Sequence, residues 1–185
     1  VALEAAIQDG IARGKKAKAI IPVHLYGMPA KMETIIPIAR KYDIPVLEDA
    51  AEALGSHING VMCGTFGELS ALSFNGNKII TTSGGGALVG KDENLIAKSR
   101  FLATQARDNA PHYQHSHIGY NYRMSNIVAG IGRGQMEVLA QRVQQRRDNF
   151  EYYNRALGGY EGIEFQPAPE YYESNRWLTA FTIDP

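Results

Sequence analysis

Two side chains in this sequence could do chemistry together. Asp49 ends the apolar run in "PVLEDAAEALGS", and Lys78 lies in "ALSFNGNKIITTSGGGALVG" (residues 71–90), a polar, glycine-rich corner between two apolar runs. Each has an ordinary reading alone: a carboxylate at position 49 can cap a helix over "AAEAL", and a lysine on a loop is normally solvated. The pair is more specific. An acid at the carboxyl end of one strand and a lysine in the loop after the next can face one pocket. A pyridoxal phosphate site needs that pair: an amine to form an imine, and a carboxylate to keep the pyridine nitrogen protonated so that the ring acts as an electron sink. The lysine must also lose its proton to act as nucleophile and base, which burial near a cation favours. Ser73, Thr82 and Ser83 add hydroxyls. Gly84, Gly85 and Gly86 add backbone N–H groups, suited to a phosphate or to a tight turn.

Other chemistries fit less well. His112, His115 and His117 form "HYQHSH", but H-x-x-H-x-H without cysteines or an acidic cluster reads as loop histidines rather than a metal site. His24 in "VHLYG" reads as a packed histidine beside the site. The three glycines lack the spacing and downstream acid of a dinucleotide fingerprint, and Ser83 has no G-x-S-x-G elbow. Tyr113, Tyr120 and Tyr122 read as packing residues.

The elements that must position these groups follow from periodicity. Residues 17–26, 43–50, 69–74 and 87–89 read as strands. Residues 31–43 read as a helix in which Thr34 is the N-cap, so that Pro37 falls in the first turn. Residues 93–106 read as a helix, 108–122 as a loop, and about 125–147 as one long helix. Gly130, Gly132 and Gly134 interrupt that helix; each costs about 1 kcal/mol against alanine unless close packing requires it. Beyond Asn154 the pattern weakens, and residues 158–162 suggest a boundary. Strand–helix–strand order implies crossovers and a largely parallel sheet. Ligands of such sheets collect at the carboxyl ends of strands, which places Glu48, Asp49 and residues 75–78 at one edge.

Composition narrows the class. The 185 residues are 44% hydrophobic and 21% charged, enough for one sizeable core. Lys and Arg total 19 against 19 Asp and Glu, so no charge excess points to nucleic acid. Cys63 is the single cysteine, which suits a reducing compartment. No apolar run reaches the ~18 residues that would span a bilayer. A soluble cytoplasmic protein is expected, with no nucleic-acid or membrane partner. The chain opens without Met and stops part-way into a strand pattern, so a fragment of a longer chain is expected.

Four segments in order, "IIPVHLYGMPA", "VLEDAAEALGS", "SALSFNGNKIITTSGGGALV" and "GYNYRMSNIVAGIGRGQMEVL", resemble the DegT-type (DegT/DnrJ/StrS) family of nucleotide-sugar aminotransferases over residues 20–143. The resemblance implies an α/β fold-type I PLP-transferase with a mainly parallel mixed sheet flanked by helices. Residues 1–157 would belong to the large PLP-binding domain, holding its lysine half, and 158–185 would begin the small domain. It implies that Lys78 is catalytic and carries pyridoxal 5'-phosphate, that Asp49 pairs with the pyridine nitrogen, and that Ser73 binds the phosphate. Asn121 would reach the cofactor phosphate of a second subunit, making a homodimer with a shared site. One position departs from the commoner pattern: Glu52 stands near the phenolic oxygen where many members have Gln or His. That variant, with "SNRWLT" (residues 174–179), resembles members that aminate C4 of a UDP-linked 4-keto-6-deoxy-N-acetylhexosamine with glutamate as donor, on a bacillosamine-type route. Arg176 there could meet a substrate or a carboxylate, a surface arginine being the default. The alternatives are a GDP- or dTDP-linked keto-sugar aminated at C3 or C4, a sugar dehydratase, in which histidine replaces the lysine, and a non-catalytic relative.

Overall fold

The computed structural model describes residues 2–184. Helix α1 (Ala2–Ala12) comes first, then α2 (Met32–Lys41) and strand β1 (Leu47–Asp49). A short hairpin of β2 (His57–Ile58) and β3 (Val61–Met62) leads to β4 (Leu69–Ser73), and the Lys78 turn leads back along β5 (Gly86–Gly90). Helices α3 (Glu93–Ala103), α4 (Asn126–Glu137) and α5 (Leu139–Leu157) follow, then strands β6 (Ile163–Phe165), β7 (Tyr172–Glu173) and β8 (Phe181–Ile183).

The central sheet has the order β1-β4-β5. β1 and β4 are parallel, with Asp49 opposite Ala71, and β5 is antiparallel to β4, with Gly86 opposite Ser73. The sheet is therefore mixed, and its parallel pair is the part that ends at Asp49 and Ser73. Residues 17–26 do not form the expected regular strand. They meet β1 and the residue before it through two isolated parallel bridges, Val23 to Asp49 and Ile20 to Val46. Pro22 lies between them and has no N–H to donate, which interrupts the ladder. A 3-10 turn at Leu25–Gly27 follows.

Helix α2 starts earlier than expected. Its N-cap position is Lys31, which makes no side-chain cap, and Pro37 lies inside the helix on an exposed position. Met32 is fully buried, against Ala39, Val46, Ile58 and Tyr172. Burying such a side chain contributes about 1.5–3 kcal/mol, more than the roughly 1 kcal/mol of a Thr34 cap. Helix α3 begins at Asp92, whose Oδ1 accepts from Asn94 N at 2.7 Å, and stops at Ala103, short of 106. Gln105 and Ala106 are left-handed, with φ 68° and 50°, and Ala106 turns inward to full burial.

The expected single helix from 125 to 147 is two helices with a break at Val138 (φ −108°, ψ 10°), and the second runs on to Leu157. Ser125 caps α4, accepting from Val128 N. Of the three glycines in α4, only Gly132 is in close contact: a Cβ there would stand 3.2 Å from Thr82 Cγ2, whereas Gly130 and Gly134 face open space. After α5 the chain makes a two-stranded ribbon, β6 with β8, while β7 returns to pair with β2. Among the described residues no helix is long and apolar enough to cross a membrane.

Candidate active site

Asp49 and Ser73 stand at the carboxyl ends of the two parallel strands. Asp49 Oδ1 accepts one hydrogen bond, from Ala51 N at 3.2 Å, and the carboxylate makes no ion pair among the described residues. The expected cap is thus realised in miniature, as a turn rather than a helix, and it leaves most of the carboxylate's acceptor capacity unused. Ser73 Oγ accepts from Asn75 N at 3.3 Å, which leaves its own O–H able to donate.

Lys78 follows five residues after the strand end, on a turn closed by its own N–H to Asn75 O at 3.1 Å. The neighbours Ile79 and Ile80 are buried and anchor the turn. The Lys78 side chain is 13% exposed and its Nζ lies 3.5 Å from Glu52 Oε1. Glu52 Oε2 accepts from Tyr26 N at 2.7 Å. Tyr26 holds a left-handed conformation (φ 58°) inside the 3-10 turn, which aims its amide at Glu52. On another side of Nζ lies the indole of Trp177, whose centroid is 4.4 Å away.

Residues 174–177 are locked to that 3-10 turn. Ser174 Oγ and Ser56 Oγ both donate to Gly27 O, at 2.9 and 2.7 Å. Asn175 is fully buried; its Nδ2 donates to the carbonyls of Glu52 and Leu54, and its Oδ1 accepts from Trp177 N. Gly27 has φ 83°, and a Cβ there would overlap Asn175 Oδ1, so the turn needs glycine for both reasons. Sequence reasoning missed Trp177, Asn175 and Tyr26. Nothing in the local pattern around "SNRWLT" signals contact with residues about a hundred positions upstream.

Beneath the site is a buried knot. Glu48 and His24 are fully buried and joined at 3.0 Å through His24 Nε2. His24 Nδ1 accepts from Ala30 N at 2.9 Å, which assigns the donor hydrogen to Nε2. Glu48 also accepts from the amides of Gly64, Phe66 and Gly67, each at 2.7 Å. Burial pushes the Glu48 carboxyl up most strongly, but the hydrogen bonds from His24, Gly67 and Gly64 outweigh it and hold the carboxyl below its ordinary value. His24 is therefore packed beneath the site rather than exposed in it.

Other expected residues lie elsewhere. Asn121 is exposed and bridges to Thr104; it shares an open cavity of about 500 Å³ with the turn at 82–85, whose lining does not include Lys78. Gly85 (φ 92°) and Ser83 (φ 70°) show that this turn uses its glycine and serine for a tight reversal into β5. His112 bonds Gln114, and His115 bonds the Gln105 carbonyl. Arg176 is laid over the Phe150 ring, 3.6 Å from its centroid, and donates to Gln166 O at 2.9 Å. A larger apolar cavity, about 600 Å³, lies between β5, α3 and α4 and does not include Lys78.

The profile of the DegT/DnrJ/EryC1/StrS aminotransferase family matches residues 2–184. EpsN of Bacillus subtilis is 54% identical over 183 residues, covering 99% of this chain and 47% of EpsN. GDP-perosamine synthase of Caulobacter vibrioides is 42% identical over 142 residues, covering 77% of this chain and 38% of that protein. The crystal structure of a DegT DnrJ EryC1 StrS aminotransferase from Brucella abortus matches with a TM-score of 0.88 at 31% identity, covering 97% of this chain and 48% of that one. The chain spans about half the length, or less, of the relatives it matches.

Proposed function

The chain belongs to the DegT/DnrJ/EryC1/StrS aminotransferase family, whose members depend on pyridoxal phosphate, and from that premise we propose that it carries the lysine half of a transaminase site for a nucleotide-linked keto-sugar. One observation carries the reading. A nearly unpartnered carboxylate, Asp49, and a partly shielded amine, Lys78, issue from the carboxyl ends of adjacent parallel strands. The residues fit the cofactor. Lys78 would bind its aldehyde carbon, Asp49 its ring nitrogen and Ser73 its phosphate. Glu52 would lie toward its phenolic oxygen, and Asn121 of the partner subunit would complete the phosphate site in a homodimer.

When bound, pyridoxal phosphate supplies an electron sink for the charge left at the donor's α-carbon. The chain's own residues do the rest. Asp49, with acceptor capacity to spare, keeps a proton at the ring nitrogen. Lys78 Nζ removes the α-proton of glutamate and, in the second half, delivers a proton to the sugar carbon that bore the ketone. Glu52, fixed by the Tyr26 amide, stays at ion-pair range of that amine, 3.5 Å away. Asn175 and Gly27 keep the wall behind Glu52 rigid.

The favoured substrate is a UDP-linked 4-keto-6-deoxy-N-acetylhexosamine aminated at C4, on the strength of Glu52 and "SNRWLT". The name of the Caulobacter relative sets a GDP-linked sugar beside it. We place the enzyme in the cytoplasm. We also divide it into a large domain over 1–157 and a small-domain start over 158–185; the β6–β8 ribbon supports the division, although residues 172–177 return to the site. The test is amination of UDP-, GDP- and dTDP-linked keto-sugars with glutamate, read by mass spectrometry, alongside the visible absorbance that pyridoxal phosphate gains on binding. UDP-linked product with absorbance lost in Lys78→Ala supports the reading. Reaction of GDP- or dTDP-linked sugars alone removes the UDP assignment, and undiminished transamination by Lys78→Ala removes the role of Lys78.

A further inference from the structure

We propose that Trp177 is a positioning residue for Lys78: it grips the lysine at both ends and holds Nζ where the cofactor aldehyde must meet it. The proposal rests on the transaminase reading above. The grip is visible in two contacts from one side chain. The indole Nε1–H donates to Asn77 O at 2.8 Å, the carbonyl bonded directly to the Lys78 nitrogen. The face of the same ring lies 4.4 Å from Lys78 Nζ, within the range at which an ammonium is attracted to an aromatic face. Root and tip of the lysine are thus referred to one rigid plane. A lysine has four rotatable bonds and loses much freedom when held, so such a grip sets how often Nζ is in a reactive place.

Trp177 can serve as a reference because it is itself fixed. It is 6% exposed and packs with Ile79 and Val143. Its backbone N–H bonds Asn175 Oδ1, and Asn175 in turn is tied to the Glu52 and Leu54 carbonyls. Glu52 is the other group at Nζ. The same buried asparagine therefore references both neighbours of the amine, and a shift of residues 174–177 would move them together. Packing alone would not require an aromatic ring with its N–H turned toward the Lys78 loop.

The test compares Trp177→Phe, which keeps a ring face, with Trp177→Leu, which keeps apolar bulk only. The full chain is mixed with pyridoxal phosphate. The amine condenses with the aldehyde and releases water, borohydride delivers hydride to the C=N bond, and the stable adduct at Lys78 is timed by mass spectrometry. We expect trapping in Trp177→Leu, which loses both contacts, to slow by about tenfold or more, and trapping in Trp177→Phe, which loses the Nε1–H but keeps a ring face, to slow by clearly less than that. Equal rates in wild type and Trp177→Leu, or a Trp177→Phe as slow as Trp177→Leu, overturn the proposal. Should Trp177→Leu fail to fold, indole emission decides. The wild-type minus Trp177→Phe difference spectrum isolates this side chain; emission should fall in step with the trapped fraction, and emission that stays constant while Lys78 is trapped overturns the grip. A wild-type protein that forms no adduct at Lys78 removes the transaminase reading and this proposal with it. Trapping that proceeds alike in all three removes this proposal alone.

Discussion

Glu48 and Asp49 are neighbours in the chain and opposites in chemistry. Glu48 is fully buried, and its two oxygens accept four hydrogen bonds, from His24 and three amides. Asp49 is half-buried and accepts one, from Ala51 N. The alternation of a strand sends the two side chains to opposite faces. One faces the loop at 64–67 and has its acceptors used up. The other faces the strand ends and keeps capacity for a ligand. A satisfied buried carboxylate builds structure, whereas an under-satisfied one at a strand end keeps acceptor capacity for a ligand.

The comparison can be broken most severely at the amine. On the proposed reading, Lys78→Ala should lower transamination by roughly 10²–10⁴-fold while urea unfolding changes little, because the alanine would remove the proton carrier and leave the turn anchored by Ile79 and Ile80. Glu48→Ala should do the reverse: it strands four donors, two of them buried, and should cost about 3–5 kcal/mol in a denaturant titration. A loss under about 1 kcal/mol would show that water replaces the carboxylate and that the knot is dispensable. Cys63, beside Gly64 in this region, gives a second readout. Burial, and then the Glu48 charge, push its thiol up to about 12, so it should resist thiol reagents at pH 8 in the native protein, and in Glu48→Ala its reactivity should rise only as far as loss of the knot exposes it, burial being the larger cause.

Asp49→Asn sharpens the contrast from the other side. It keeps an oxygen for Ala51 N but loses the charge, so activity should fall by about 10²–10³-fold, with stability within about 0.5 kcal/mol of wild type. Equal losses of stability in Asp49→Asn and Glu48→Ala would erase the distinction. The smallest effect is on pH. The Glu48 carboxyl lies below its ordinary value in the folded state, so the unfolded state binds more protons in that range. Its contribution is complete above the ordinary carboxylate value and fades as pH falls through it into the acid range. The denaturant midpoint of the wild type should drop there more steeply than that of Glu48→Gln.

Much of this was legible in the residues. The strands expected over 43–50, 69–74 and 87–89 appear at 47–49, 69–73 and 86–90, the first shortened at its start, and the loop expected over 108–122 carries no helix or strand. The misread elements share a cause. Residues 17–26 looked like a strand because apolar periodicity does not count the missing N–H of Pro22. Thr34 looked like a cap because local rules do not register that Met32 will be drawn into a core with Tyr172, far along the chain. The helix from 125 looked continuous because a break at Val138 leaves no proline or glycine signal.

By itself the sequence determined which chemistry is possible: one lysine set five residues beyond a strand end, after an acid that ends the preceding parallel strand, in motifs long enough to identify the family. Tertiary structure decided which groups are free to perform it. Glu48 and Asp49 are both carboxylates on opposite faces of one strand, and nothing local says which face will be sealed by Gly64, Phe66 and Gly67. Asn77 and Trp177 lie 100 residues apart and meet at 2.8 Å, a contact made by β7 pairing with β2 and by Asn175 fitting against Gly27. Residue types and short spacings are written in one dimension; saturation of a carboxylate and enclosure of an amine are properties of what packs around them in three.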